Sequence, residues 1–397
     1  MRIALICDDY LPDSTRVSAK MMHELACELL QLGHSPIVIC PTDMSKELEI
    51  IELDGITVYK FPNGTLKDVA KFRRAINESC LSFNAWRILR KRLCQEKIDG
   101  IIYYSPSIFF GPFVRKLKTY WNCKSYLILR DSFPQWLVDQ NIIRKNGVIE
   151  KYFRYFEKLN YNAADCIGLM SDKNKEIFKH NYGDNYFIQT LYNWADFKGT
   201  KDICASSLRK QLALECKVIF FYGGNIGHAQ DMHNLLRLAK AMSCHPEAHF
   251  LFIGQGDEVS LVQSFIEQNA LTNCTYLPSI SQDEFKSVLK VVDVGLFSLA
   301  KKHSVHNFPG KLLGYMANKI PILGSVNENN DLMLVINDAS AGIVHVNGDD
   351  EALIASAKKL VEDSQLRKNY GENAFALLQD KFSVEVAAVK ILEKLFG

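Results

Sequence analysis

The 397-residue sequence lacks several things that would place it quickly. It has no apolar run near the roughly 20 residues that a membrane-spanning helix needs, so no such span is expected. Its eleven cysteines are never closer than 12 positions, and no Cys-x-x-Cys pair exists. That spacing argues against a metal knuckle or a dense disulfide framework, and scattered reduced thiols are expected instead. No metal site is expected. Residues 1–7 run directly into Asp8-Asp9, which is not the basic-then-apolar pattern of a signal segment. There is no G-x-G-x-x-G fingerprint, and hence no indication of a nicotinamide cofactor. Low-complexity tracts and short repeats are absent. The net charge is only +2 and no recognition motif is present, which disfavours nucleic acid as a partner. These absences point to a cytoplasmic protein.

What is present is an alternation of short β-branched runs with longer helical periods. Residues 2–7 read as a buried strand. Residues 18–32 read as a helix with Met21, Met22, Leu25, Leu29 and Leu32 on its apolar side. Gly33 ends that helix and 36–40 is the next strand. Strands are also expected at 56–59, 100–103, 126–129 and 166–170, with helices near 67–77, 83–96 and 148–163. The alternation restarts after about residue 190, with strands at 218–222, 249–253, 293–297, 320–323 and 342–346. Helices at 231–242 and 258–269 belong to the same series. Repeated strand–helix units predict parallel sheets covered by helices. The expected organisation is an N-terminal Rossmann-like lobe at 1–190 and a second at 191–382. A final helix at 383–397 would pack back on the first lobe.

Charge is unevenly spread. Nine basic and three acidic residues fall within 67–97, and Arg115, Lys116 and Lys118 precede Tyr120-Trp121. Phe83, Trp86 and Leu89 beside Arg87, Arg90 and Lys91 suit the surface of an anionic membrane. A solvated basic helix face fits the same residues.

Open parallel sheets bind ligands beyond the carboxyl ends of their strands, so candidate site residues are sought there. After the first strand, Asp8–Arg16 forms a polar loop that opens a helix, with Arg16 as a cation near its N-terminus. Ser14 or Ser18 could equally serve as a simple cap. Arg130-Asp131 follows the 126–129 strand, where a charged pair could orient sugar hydroxyls or form a structural salt bridge. In the second half, Gly223, Gly224 and Asn225 follow one strand, and Gly254 and Gly256 follow the next. Glycines there permit backbone to approach a diphosphate. Pro309-Gly310-Lys311 begins a helix whose first N–H groups, with Lys311, could stabilise a departing nucleoside diphosphate. Lys301 and Lys302 precede it. Asp331 could cap a later helix or contact ligand hydroxyls.

Tyr10-Leu11-Pro12, Leu29-Leu30-Gln31-Leu32-Gly33-His34, Tyr192–Asp196, the two glycine-rich strand ends and the segment 308–321 together resemble glycosyltransferase family 4 over nearly the whole length. Asp131–Trp136, Asn225–Gln230 and Pro309–Lys311 are more narrowly similar to bacterial O-antigen L-fucosamine (N-acetyl-L-fucosaminyl) transferases. The resemblance implies a GT-B fold, with two Rossmann-like lobes facing a cleft. It also implies a UDP-sugar donor, an acceptor on undecaprenyl diphosphate, and no metal or other cofactor. Two glutamates that the family often carries fall here on His306 and Gly314. His306 thereby becomes a catalytic candidate, and Asp331 or a neighbour is left to meet the ribose. The family's basic pair falls on Asn225 and Gln230, which shifts diphosphate neutralisation to Lys311, supported by Lys301, Lys302 or Arg16. The family's sugar-contacting histidine falls on Arg130 or Asp131.

The expected function is therefore transfer of a sugar, best matched by N-acetyl-L-fucosamine, from UDP to a lipid-linked saccharide in O-antigen or other surface polysaccharide biosynthesis. The basic aromatic stretches would meet the inner face of the plasma membrane. A UDP-sugar epimerase and a non-catalytic assembly partner are the competing readings.

Overall fold

The computed structural model describes residues 1–14, 16–66, 70–131, 133–139, 142–195, 207–301 and 308–397. The chain divides into two compact units, one of Met1–Asp196 with Val384–Gly397 and one of Phe197–Ser383.

The first unit holds β1 (Arg2–Ile6), β2 (Ser35–Thr42), β3 (Glu49–Leu53), β4 (Ile56–Pro62), β5 (Gly100–Ser105), β6 (Lys124–Leu129), β7 (Cys166–Leu169) and β8 (Ile188–Thr190). Their order is β3-β4-β2-β1-β5-β6-β7-β8, so β1 and β5 flank the point where the chain reverses its direction of sheet growth. All pairs are parallel except β3 with β4. That hairpin turns at Asp54-Gly55, with φ of 51° and 78°, the geometry of a tight two-residue turn. The sequence reading passes over β3 because it is a half-exposed edge strand that buries no apolar run.

The central strands are covered on both sides. Met21, Met22, Leu25 and Leu29 of the helix Val17–Gln31 are buried against one face. Ala387, Ala388, Ile391 and Leu395 of the last helix, Val384–Phe396, enter the same core. Trp194 is also buried there, and its indole N–H donates to Met21 O at 3.0 Å.

The second unit holds β9 (Val218–Asn225), β10 (Ala248–Gln255), β11 (Cys274–Leu277), β12 (Val294–Ser298), β13 (Ile322–Val326) and β14 (Gly342–Val346). All are parallel, in the order β11-β10-β9-β12-β13-β14. This is the strand order of a dinucleotide-binding sheet, with its switch point between β9 and β12. Sequence reading misses the edge strands β8 and β11, which are short and only half-buried.

One expectation needs correction. The helix Leu81–Leu93 does not present Phe83, Trp86 and Leu89 on one open face. Phe83 is 65% exposed, Trp86 is half-buried and Leu89 is fully buried. Successive three-residue steps drift by about 120° between Phe83 and Leu89, enough to carry the latter from solvent into the core. In the second basic stretch Tyr120 is exposed, while the Trp121 indole turns inward and donates to Leu93 O.

Candidate functional site

In the second unit the ends of β9 and β10 are locked together. Gly254 lies opposite Gly224 in the ladder, and a Cβ on Gly254 would stand 1.8 Å from Gly224 O. Only bare backbone fits where these turns cross. Gly224 itself has φ of +117°, a left-handed conformation that disfavours a side chain. Ile226 N–H donates to Gln255 O at 2.9 Å, and Glu258 N–H donates to Ile226 O at 3.1 Å. The exposed tip at Gly224-Asn225 is therefore a rigid backbone surface.

The helix Lys311–Ala317 packs against β12 and β13, beside the gap that opens between β9 and β12 beyond their short pairing at Phe221 and Gly295. Tyr315 fills that gap, and its buried hydroxyl lies 3.2 Å from Phe221 O and 3.1 Å from Leu296 O. The same oxygen accepts from Gly223 N–H at 3.4 Å. Gly295 leaves room for the ring, since a Cβ there would approach it to 2.4 Å.

Lys311 lies one helical turn before Tyr315 and shares its side of the helix. Its Nζ sits 3.4 Å from the centre of the Tyr222 ring, beside the Gly224 turn. The ammonium is enclosed and has no hydrogen-bond partner among the described residues. Burial holds its pKa well below the ordinary lysine range. A desolvated cation stacked on an aromatic face at a strand switch point is a ready anion receptor.

Asn225 Nδ2 donates to Gln230 Oε1 at 2.9 Å, which ties the two amides together. Gly310 occupies the position before the Lys311 helix, with open space where a Cβ would be. Asp331 stands at the cap position of the helix Leu332–Asp338, but the N–H of Leu332 is taken by Asn330 Oδ1. Gly256, at φ +151°, packs against Ile226 O. Lys302 and His306 lie outside the described residues. Sequence reading assigns no role to Tyr222 or Tyr315. The four-residue spacing of Lys311 and Tyr315 is the signal that was available for the latter.

Arg130, Asp131 and Arg16 belong to the first unit. Arg130 follows β6 and spends its fork on carbonyls, donating from Nη1 to Leu129 O (3.3 Å) and Gly168 O (3.4 Å) and from Nη2 to Tyr192 O (3.2 Å). Its guanidinium also lies 5.7 Å from the Trp194 ring centre. Burial lowers its pKa to about 10. These bonds tie the ends of β6 and β7 to the segment that leaves the unit. Asp131 is exposed beside it. Tyr104, at the end of β5, is held to a pKa of about 12 by burial; Arg130 opposes that shift, and Asp8 and Asp131 add to it. Arg16 lies 3.7 Å from Asp9, which also accepts from Ser14 Oγ at 2.7 Å.

Beyond β1, β2 and β4 lies a cleft of about 310 Å³ whose walls include Asp8, Asp9, Asp13, Thr42 and Thr65. Asp13 is anchored by the buried Lys60, Nζ to Oδ2 at 2.5 Å. Carboxylates and hydroxyls arranged this way can accept hydrogen bonds from a polyol.

Comparison with known proteins agrees with this layout. Residues 206–376 match the family described as Glycosyl transferases group 1. Escherichia coli K12 WcaI, whose name reads "Putative colanic acid biosynthesis glycosyl transferase", is 23% identical over 337 residues, covering 80% of this chain and 81% of its own. The solved structure of Anabaena HepE with UDP-glucose aligns with a TM-score of 0.67 at 15% identity, over 100% of this chain and 99% of that one. WaaG, titled as a glycosyltransferase involved in lipopolysaccharide biosynthesis, aligns at 0.63 and 14% over the whole of both chains. Among the described residues no helix is long and apolar enough to cross a membrane. The fold is GT-B, residues 206–376 carry the match to group 1 glycosyl transferases, and the chain is a glycosyltransferase.

Proposed function

We propose that the chain transfers a sugar from a UDP-sugar to a saccharide carried on undecaprenyl diphosphate, in the assembly of a surface polysaccharide at the inner face of the plasma membrane. The observation that carries the donor half is the enclosed, unpartnered Lys311 ammonium over Tyr222, beside the Gly224 turn. A UDP diphosphate placed there would restore a partner to that cation. As the glycosidic bond breaks, charge builds on the leaving diphosphate, and a preorganised ammonium in a dry site stabilises it. The HepE complexes with UDP and UDP-glucose support a uridine nucleotide, and the names of WcaI and WaaG support a polysaccharide product. N-acetyl-L-fucosamine is the donor sugar to test first. The acid-walled cleft of the first unit is the place proposed for acceptor hydroxyls. In this reading Lys311, rather than a metal ion, neutralises the diphosphate.

Titration calorimetry with UDP, UDP-GlcNAc and GDP tests the reading, with and without EDTA. Micromolar UDP binding that survives EDTA and collapses in Lys311→Ala is the expected result. No binding of any nucleotide would discard the donor site and favour a non-catalytic assembly partner.

A further inference from the structure

We propose that the outward face of the helix Val148–Ala163 in the first unit docks on an anionic lipid bilayer. This deepens the reading above, on which the acceptor is lipid-borne, and it moves the membrane contact away from the helix that the sequence suggested.

The helix is amphipathic in an unusual sense. Phe153, Glu157, Asn160 and Tyr161 face the core, as expected. The opposite face is not simply polar: Val148 is 85% exposed, Tyr152 41% and Tyr155 60%, and Ile149, on the flank at the start of the helix, is 58% exposed. Val148, Tyr152 and Tyr155 follow helical spacing and form one stripe. Tyr152 also meets Ser79 Oγ at 2.6 Å, which brings the helix Lys71–Ser79 and its exposed Ile76 alongside. Exposed aromatic and branched side chains gathered on one face are what an interfacial helix inserts below lipid headgroups.

The charges select the partner. Within 142–158 the sequence has two acidic residues, Glu150 and Glu157, and both are turned inward and buried. Arg154 pairs with each of them, at 3.4 and 3.0 Å. The charged side chains left on the outside are Arg144, Lys145, Lys151 and Lys158, all positive, and none has an ion-pair partner among the described residues. An apolar stripe bordered by unpaired cations, with its acids internalised, is complementary to an anionic headgroup layer. A neutral bilayer or an ordinary protein surface would leave those cations uncompensated. Tyrosine suits the interface because its ring is apolar and its hydroxyl stays hydrated.

The test is co-sedimentation of the full chain with vesicles of phosphatidylcholine, with and without phosphatidylglycerol. The wild-type chain is expected to partition onto the anionic vesicles and to release at high salt. The Lys145→Glu/Lys151→Glu variant should lose at least about tenfold in partitioning, since each basic group near such a surface contributes about fivefold. The Val148→Ser/Ile149→Ser/Tyr155→Ser variant should lose at least about tenfold through the apolar side chains it no longer inserts. Both should retain the wild-type circular dichroism spectrum and UDP titration. Indifference to phosphatidylglycerol, or wild-type partitioning by both variants, would overturn the proposal. So would a loss confined to Phe83→Ser/Arg87→Glu, which would move the contact to the helix Leu81–Leu93. A concentration-dependent dimer abolished by the triple variant would make the face a self-association surface instead. Vesicle binding by a chain that binds no UDP would uphold the surface while removing the transferase reading.

Discussion

The Lys311 ammonium lies 3.4 Å from the centre of the Tyr222 ring and has no hydrogen-bond acceptor among the described residues. Two opposed effects meet in that contact. The electron-rich ring face attracts the cation, by about 2 kcal/mol where water is excluded. Desolvation opposes it at a cost of several kcal/mol, and burial pushes the group's pKa well below the ordinary lysine range. Lys311 is thus held in a position that disfavours its own charge until an anion arrives.

Replacing Lys311 by Met should separate stability from binding. Without nucleotide the variant should melt above the wild type, because an uncompensated buried cation has been replaced by a fitting apolar chain. UDP should bind about 10- to 100-fold more weakly, corresponding to roughly 1.5–3 kcal/mol for a hydrogen bond to a charged group. Thermal melts and calorimetry on the same preparations check both directions. A lower melting temperature in the apo variant would mean that the ammonium is stabilised by something other than a future ligand.

The same depressed pKa predicts a proton linkage. Diphosphate binding favours the ammonium, so nucleotide binding should take up protons where the apo amine is partly neutral, and UDP affinity should weaken as pH rises through that range. For stability the sign is the reverse. The unfolded chain binds more protons than the folded one between the lowered value and the ordinary lysine value, so this group favours folding increasingly as pH rises across that window. Calorimetry in two buffers of different ionisation enthalpy measures the uptake. Equal heats in both, across the alkaline range, would show that Lys311 is fully protonated before UDP binds.

The fold was legible because parallel strands buried on both faces appear as uninterrupted apolar runs. β1, β2, β6, β9 and β10 all carry such runs. Edge strands escape that signal, as β3, β8 and β11 do. At the site, Gly224 and Gly254 were legible because a backbone crossing leaves no choice of residue. Lys311 could be named, but the Tyr222 ring beneath it belongs to a different strand and only tertiary packing brings them together. Arg130-Asp131 reads from sequence as a reactive pair or a salt bridge. The structure shows the Arg130 guanidinium donating to the carbonyls of Leu129, Gly168 and Tyr192, and the last two contacts are ones no local pattern encodes.

Tyr315→Phe probes the strand fork. The hydroxyl is the hydrogen-bonding atom shared by Phe221 O, Leu296 O and Gly223 N–H in a buried gap. Removing it without filling the space leaves buried backbone groups short of a partner, at about 1–3 kcal/mol. Denaturant unfolding should show that loss at unchanged m-value, and UDP affinity should fall modestly as the Lys311 helix loses its anchor. Unchanged stability would mean that water replaces the hydroxyl at the fork.

His249 on β10 offers a pH test remote from the site. Its ring is buried, with Nε2 2.9 Å from Thr275 Oγ1, and burial lowers its pKa to about 4, with nearby Lys217 adding to the shift. In the unfolded chain the group titrates near the ordinary histidine value of about 6.5. Between those values the unfolded state binds the extra proton, so stability should rise as pH increases from about 4 to about 6.5 and then level off. The full contribution is at most about 3.4 kcal/mol, at about 1.36 kcal/mol for each pH unit. A His249→Leu variant should flatten this part of the stability profile measured by urea denaturation. If the variant and the wild type lose stability in parallel below pH 6.5, the acid sensitivity of this unit resides in other groups.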